Sequence, residues 1–138
     1  MYHDGQGVEQ DYTAALTWFR KAAEQGAVIA EFNLGLMYYD GLGVKQDYIE
    51  ALKWYRKAAD HGNAQALYNL GVMYFNGQGV QKNHVQAYML LDVAAAHYPP
   101  SDRKDRDDAV KARDLVASEM NPAQIAEARK LAREWKPK

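Results

Sequence analysis

Apolar residues recur along this chain with helical spacing, in short blocks separated by glycine. Across residues 28–39, Ala30, Leu34, Met37 and Tyr38 fall at i, i+3, i+4 intervals, the period of a helix with one buried face. Across residues 48–60, Ala51, Trp54, Tyr55, Ala58 and Ala59 do the same. Asp47 stands just before the second block, where its carboxylate can accept from the free amides of a first helical turn. Between the blocks lies Asp40-Gly41-Leu42-Gly43-Val44, and a later copy reads Asn76-Gly77-Gln78-Gly79-Val80. Asn-Gly also announces hairpins, but a hairpin needs alternating flanks, and these flanks have helical period. The glycine is therefore read as a helix C-cap with positive φ.

The whole pattern returns every 36 residues. Met1-Tyr2-His3-Asp4-Gly5-Gln6-Gly7-Val8 precedes Met37-Tyr38-Tyr39-Asp40-Gly41-Leu42-Gly43-Val44 by that offset, and Met73-Tyr74-Phe75-Asn76-Gly77-Gln78-Gly79-Val80 follows by the same offset. Tyr12 falls on Tyr48, Ala15 on Ala51 and Ala87, Trp18 on Trp54, Gly26 on Gly62, Asn33 on Asn69, and Leu34-Gly35 on Leu70-Gly71. A fixed period of this size is the signature of a solenoid of helix pairs. It predicts a loop over 5–8, with Asp11 and Asn83 as N-caps equivalent to Asp47, and a helix over about 11–25. Gly35 and Gly71 sit inside predicted helices, where each costs roughly 1 kcal/mol relative to alanine. Close approach to the alanine face of the partner helix, Ala51 and Ala58, is the expected compensation.

Ala30, Leu34-Gly35, Tyr38, Gly41, Gly43-Val44, Asp47, Ala51, Trp54, Ala58-Ala59 and Gly62, at these spacings, resemble the Sel-one-like repeat (SLR) family, relatives of the tetratricopeptide repeats. The resemblance covers residues 1–98 and implies a bacterial protein of helix pairs stacked in a right-handed superhelix. The third unit departs from the pattern, with Leu90 in place of the tryptophan and Tyr98 in place of the closing glycine. Because Met1-Tyr2 align with the last turn of a first helix, the first repeat is expected to be incomplete, cut from a longer array. Its bare side would offer a surface for self-association. Pro99-Pro100 cannot continue a helix, so Ser101 or Asp102 should cap a new one running to about residue 120. Asn121-Pro122 then signals another start, with Ile125, Ala128, Leu131, Ala132 and Trp135 on one stripe. The segment from Met120 to Ile125, and Glu134-Trp135, resemble the tail that follows the repeats in bacterial members. The expected fold is all-α: an α/α solenoid over 1–98 closed by a two-helix C-terminal cap over 99–138.

Composition narrows the function. Net charge is −1, which gives no basic field for nucleic acid. Residues 1–98 hold 7 Lys/Arg against 10 Asp/Glu and residues 99–138 hold 10 against 8, a swing too small to name a partner. No apolar run approaches the ~18 residues of a membrane span, so no membrane insertion is expected. With no cysteine, disulfides and thiolate metal sites are excluded, and bacterial cytoplasm and periplasm both stay open. The recurrent Gly-x-Gly lacks the strand and the Lys-Ser/Thr of a phosphate loop. His3, His61, His84 and His97 show no metal-ligand spacing. Asp102, Asp105, Asp107 and Asp108 are interleaved with Arg103, Lys104 and Arg106 and lack the order of a calcium loop. No nucleophile is paired with a base in a known motif. The expectation is a non-enzyme without cofactor or metal.

What remains is binding. Tyr38, Tyr74, Trp18, Trp54 and Tyr55 occupy repeat positions expected to pack between helices. Phe32 and its equivalent Tyr68, and Tyr39 and its equivalent Phe75, are expected to point away from the partner helix toward the inner surface. With Asn33, Leu36, Asn69 and Val72 they form a candidate peptide-binding groove. Resemblance to tetratricopeptide modules implies that such first-helix residues line a concave surface, where an asparagine amide can donate to and accept from a peptide backbone. The two asparagines could equally tie adjacent repeats together. The expected function is a protein–protein interaction scaffold or adaptor binding a peptide or protein segment. The alternative is a regulatory or inhibitory subunit docking on an enzyme or envelope assembly through its convex or terminal surface.

Overall fold

The computed structural model describes residues 5–138, with side chains described from Asp11 onward. Among the described residues there are seven helices and no strand: α1 (Gly5–Glu24), α2 (Val28–Asp40), α3 (Tyr48–Asp60), α4 (Ala64–Asn76), α5 (His84–His97), α6 (Arg103–Ala117) and α7 (Pro122–Glu134). Each of α1 to α5 packs on the next, and α7 folds back onto α5. Pairs α2/α3 and α4/α5 are successive units of the 36-residue period.

Side-chain caps set where helices begin. Asp47 Oδ1 accepts from the amides of Ile49 and Glu50 at 3.0 and 3.2 Å, and Asn83 Oδ1 accepts from Gln86 N at 3.0 Å. Asn121 and Gln124 exchange bonds of 2.8 and 3.0 Å in a capping box, with Pro122 in the first turn. The α2–α3 and α4–α5 loops start as expected: Gly41 and Gly77 have φ of 72°, and their amides donate to Met37 O and Met73 O. Asp47 N and Asn83 N then bond Tyr38 O and Tyr74 O. The second loop glycine has another task. A Cβ on Gly79 would lie 2.8 Å from the carbonyl carbon and oxygen of Tyr48, and one on Gly43 2.6 Å from the carbonyl carbon of Tyr12. Each loop therefore rests on the backbone of the preceding unit's second helix.

The first copy of the loop departs from expectation. Residues 5–8 are helical and Asp11 lies inside α1 rather than capping it. The same four-residue motif is thus helical in one copy and a turn in two. Residues 1–4, the start of the first copy, lie outside the described residues. α6 also stops three residues early, at Ala117, where Ser118 bonds back to Asp114 and Leu115.

Leu34, Tyr55, Leu67 and Met73 are fully buried in one core cluster, and Leu91 and Val116 in a second. The helical glycines face aromatic and aliphatic side chains more than the expected alanines. A Cβ on Gly35 would meet Tyr55 Cδ1 at 2.5 Å, and one on Gly71 would meet Leu91 Cγ at 2.9 Å, with Ala87 O next at 3.3 Å. The bulk of Tyr55, not a small-residue face, requires Gly35.

Stacking also uses a repeated polar clasp. Arg20 on α1 donates to the Tyr38 hydroxyl, and Arg56 on α3 donates to the Tyr74 hydroxyl at 2.6 Å. The next member of the series after Arg56 is Asp92. There the polarity reverses: Arg113 Nη1 on α6 donates to Asp92 Oδ1 at 2.9 Å. Counted from their N-caps Asn63 and Asp102, Tyr74 and Arg113 hold the same helical place. Thus α6 docks on α5 as a first helix docks on the unit before it, with donor and acceptor exchanged.

Candidate binding groove

Helices α2 and α4 are equivalent first helices, and their free faces enclose a pocket of about 290 Å³. Leu36, Tyr39 and Asp40 of α2 line one wall, Tyr68, Asn69 and Val72 of α4 the other, and Tyr55 of α3 completes the lining. All eight residues predicted for the groove are half-buried. Five of them meet in this pocket: Leu36, Tyr39, Tyr68, Asn69 and Val72. Phe32 and Asn33 on α2 and Phe75 on α4 are outside its lining, and the Phe75 ring sits edge-on to His84 at 5.2 Å.

Two aromatic expectations are corrected. Phe32 and Tyr39 lean on the partner helix α3 rather than away from it. Phe32 lies 5.7 Å from the Tyr55 ring, and Tyr39 lies 5.0 Å from Tyr48 and 6.4 Å from Tyr55. A free aromatic face on α2 would waste apolar area that α3 can cover. The second is Trp18, expected to be core, which is 65% exposed. Its equivalent Trp54 is 5% exposed, with the Lys53 and Lys57 ammonium groups 5.1 and 4.7 Å from its ring. Trp54 borders a polar depression shared with Arg20 and Glu24 of α1, whereas Trp18 lies on α1 itself.

Tyr55, read from the sequence as core alone, contributes to both core and pocket. It is 1% exposed. Burial pushes its phenol well above the ordinary value, Asn69 opposes the shift, and Asp40 and Tyr39 add to it. The two asparagines are thereby distinguished. Asn69 acts on the phenol of the preceding unit's Tyr55. The residue equivalent to Tyr55 one unit earlier is Phe19, which has no hydroxyl, and Asn33 makes no hydrogen bond among the described residues.

Among the described residues no cluster of His, Asp or Glu could hold a metal ion, and no helix is long and apolar enough to cross a membrane. The buried carboxylate of Glu31 is the exception to ordinary solvation: it is 4% exposed, and its Oε1 lies 3.9 Å from His61 Nε2. Burial raises its pKa, His61 and Lys57 oppose the shift, and Asp60 adds slightly. A carboxyl raised in the fold binds its proton more tightly there than in the unfolded chain. Its contribution is therefore whole below the unfolded carboxylate range and is lost as pH climbs through the raised value. Glu31→Gln should melt higher than wild type at neutral pH, with the two curves converging near about pH 4. A variant that melts lower at neutral pH would mean the His61 contact outweighs burial.

The Sel1 repeat model matches residues 1–26, 28–63 and 64–98. A protective antigen present in uropathogenic Escherichia coli strains, displaying an SLR fold, superposes with TM-score 0.83 at 33% identity, covering 91% of this chain and 26% of that one. A Sel1 repeat protein from Oxalobacter formigenes superposes with TM-score 0.62 at 33% identity, covering 87% of this chain and 54% of that one. The chain thus spans about a quarter and about half of these two structures. No curated protein matches it.

Proposed function

Because the chain belongs to the Sel1 repeat family, whose repeats commonly build non-catalytic protein-interaction scaffolds, we propose that it is an adaptor that holds a peptide or protein segment in the α2–α4 groove. The observation that carries this is the pocket between equivalent faces of successive units, walled by Tyr39 and Tyr68 and bordered by the Asn69 amide. Its chemistry suits a peptide. Half-buried aromatic rings supply contact area at low entropic cost, and amides can meet a peptide backbone on both its donor and acceptor sides.

Exposed Trp18 supports a second reading, docking of an enzyme or envelope component on the convex side of α1. The two are separated by affinity capture from the source cell with the wild-type chain, Val72→Arg and Trp18→Ala. An arginine at Val72 fills the pocket with a charged side chain. Groove binding predicts that partners lost with Val72→Arg are kept with Trp18→Ala. The reverse pattern would assign the function to the α1 surface.

A further inference from the structure

The aspartates of α6, which the sequence interleaves with bases, are sorted by the fold. Asp102, Asp105 and Asp108 are half-buried at intervals of three, whereas Arg103, Lys104, Arg106 and Asp107 are exposed. Three-residue spacing places the first group along one side of a helix. That side faces Tyr98, the buried residue ending α5, whose phenol is affected by Asp105, Asp102 and Asp108 and also by Tyr68. Tyr68 is at the same time part of the α4 wall of the groove pocket. Counted from the N-caps Asn63 and Asp102, Asp108 holds on α6 the place that Asn69 holds on the α4 wall of the pocket, and on the opposite wall Asp40 adds another carboxylate.

The stripe is poorly neutralised from within the chain. Lys104 reaches Asp108 at 3.4 Å, but its side chain is 87% exposed, and an ion pair of this kind contributes little. Asp102 disfavours the charged form of Asp105, and Lys104 opposes that effect. Lys111, one turn further along α6, is exposed. The described residues offer no metal cage here, so the charges are spread for a cation carried on a chain rather than for a bound ion.

We propose that the groove takes an extended basic peptide, with a bulky apolar side chain entering the α2–α4 pocket and a neighbouring lysine or arginine lying on Asp105 and Asp108 of α6. The proposal rests on the groove reading above and adds to it the chemical class of the partner. Apolar contact supplies affinity, and charge complementarity sets which sequences are accepted and which are repelled.

The test is fluorescence anisotropy of the whole chain with three labelled peptides in a Gly/Ser background, carrying Lys-Leu-Lys, Glu-Leu-Glu or Lys-Gly-Lys. Lys-Leu-Lys should bind saturably, more weakly as salt screens the charges, and the other two should bind at least about tenfold less tightly. Asp105→Asn with Asp108→Asn, which keeps hydrogen-bonding capacity, should weaken Lys-Leu-Lys by about tenfold and flatten its salt dependence. Val72→Arg should abolish it. Equal binding of Glu-Leu-Glu, or an unchanged isotherm in the double aspartate variant, would overturn the basic preference. If Val72→Arg still abolished binding in that case, the groove would stand without it. Binding indifferent to Val72→Arg, or no binding by any peptide, would overturn the basic-peptide assignment; indifference would also remove the groove.

Discussion

Gly79→Ala should destabilise the fold far more than Gly26→Ala, although both put alanine at a positive φ. Gly79 has φ 72° and Gly26 has φ 88°, so each substitution carries the left-handed cost, about 1–2 kcal/mol. They differ in what the new methyl meets. At Gly26 there is nothing within 4 Å, whereas at Gly79 the methyl would sit 2.8 Å from backbone atoms of Tyr48 and 3.1 Å from Ile49 N. A helix backbone cannot rotate aside as a side chain can. Overpacking of this kind adds about 1–3 kcal/mol, because one unit must be lifted off the next. Thermal melts should therefore place Gly79→Ala about 5–15 °C below wild type and Gly26→Ala only a few degrees below. Equal losses would show that the loop does not bear on the neighbouring unit.

Tyr55→Ala should be the more damaging of the side-chain truncations in the groove. The residue is buried, Phe32 and Tyr39 lean on its ring, and Gly35 is a glycine because that ring is there. Truncating a buried aromatic costs about 3–5 kcal/mol, readable as a lower urea midpoint, and here it also removes part of the pocket lining. Tyr55→Phe separates the two consequences. It keeps the ring but removes the hydroxyl on which Asn69 acts, at a cost of about 1 kcal/mol. Asn69 would then resemble Asn33, for which the position equivalent to Tyr55 is Phe19. If Tyr55→Ala melted no lower than Tyr55→Phe, the ring would not be the keystone of this packing.

The helices α2 to α5 and the caps Asp47 and Asn83 were legible because the 36-residue offset states each of them more than once. The glycine turns were legible for the same reason. Repetition misleads where burial depends on a neighbour. Trp18 and Trp54 are the same residue at the same repeat position, yet one is exposed and the other covered, because the covering atoms belong to whatever stacks on that helix. Residues 5–8 are a further case, because the motif that is helical there is a turn in the later copies. Gly35 was assigned the wrong partner because spacing predicts that two helices approach but not which side chain occupies the crossing.

Within the groove, helical period brought Leu36, Tyr39, Tyr68, Asn69 and Val72 to one place, but the same rule missed Tyr55, which serves core and pocket together. One signal was present and unused. The Phe19/Tyr55 difference at equivalent positions already implied that Asn33 and Asn69 could not have the same partner. The sorting of the α6 aspartates was less accessible, because alternating signs along a chain do not reveal which residues turn inward until the helix is docked.

The central claim, that partners bind the inner faces of α2 and α4, is tested most directly by a nitrogen–proton NMR titration of the chain with a captured partner segment. The Asn69 side-chain amide reports on the groove, and the Trp18 indole N–H reports on the exposed face of α1. The account predicts saturable shifts of the Asn69 signal with the Trp18 signal unmoved. Saturable movement of Trp18 with Asn69 stationary would contradict it.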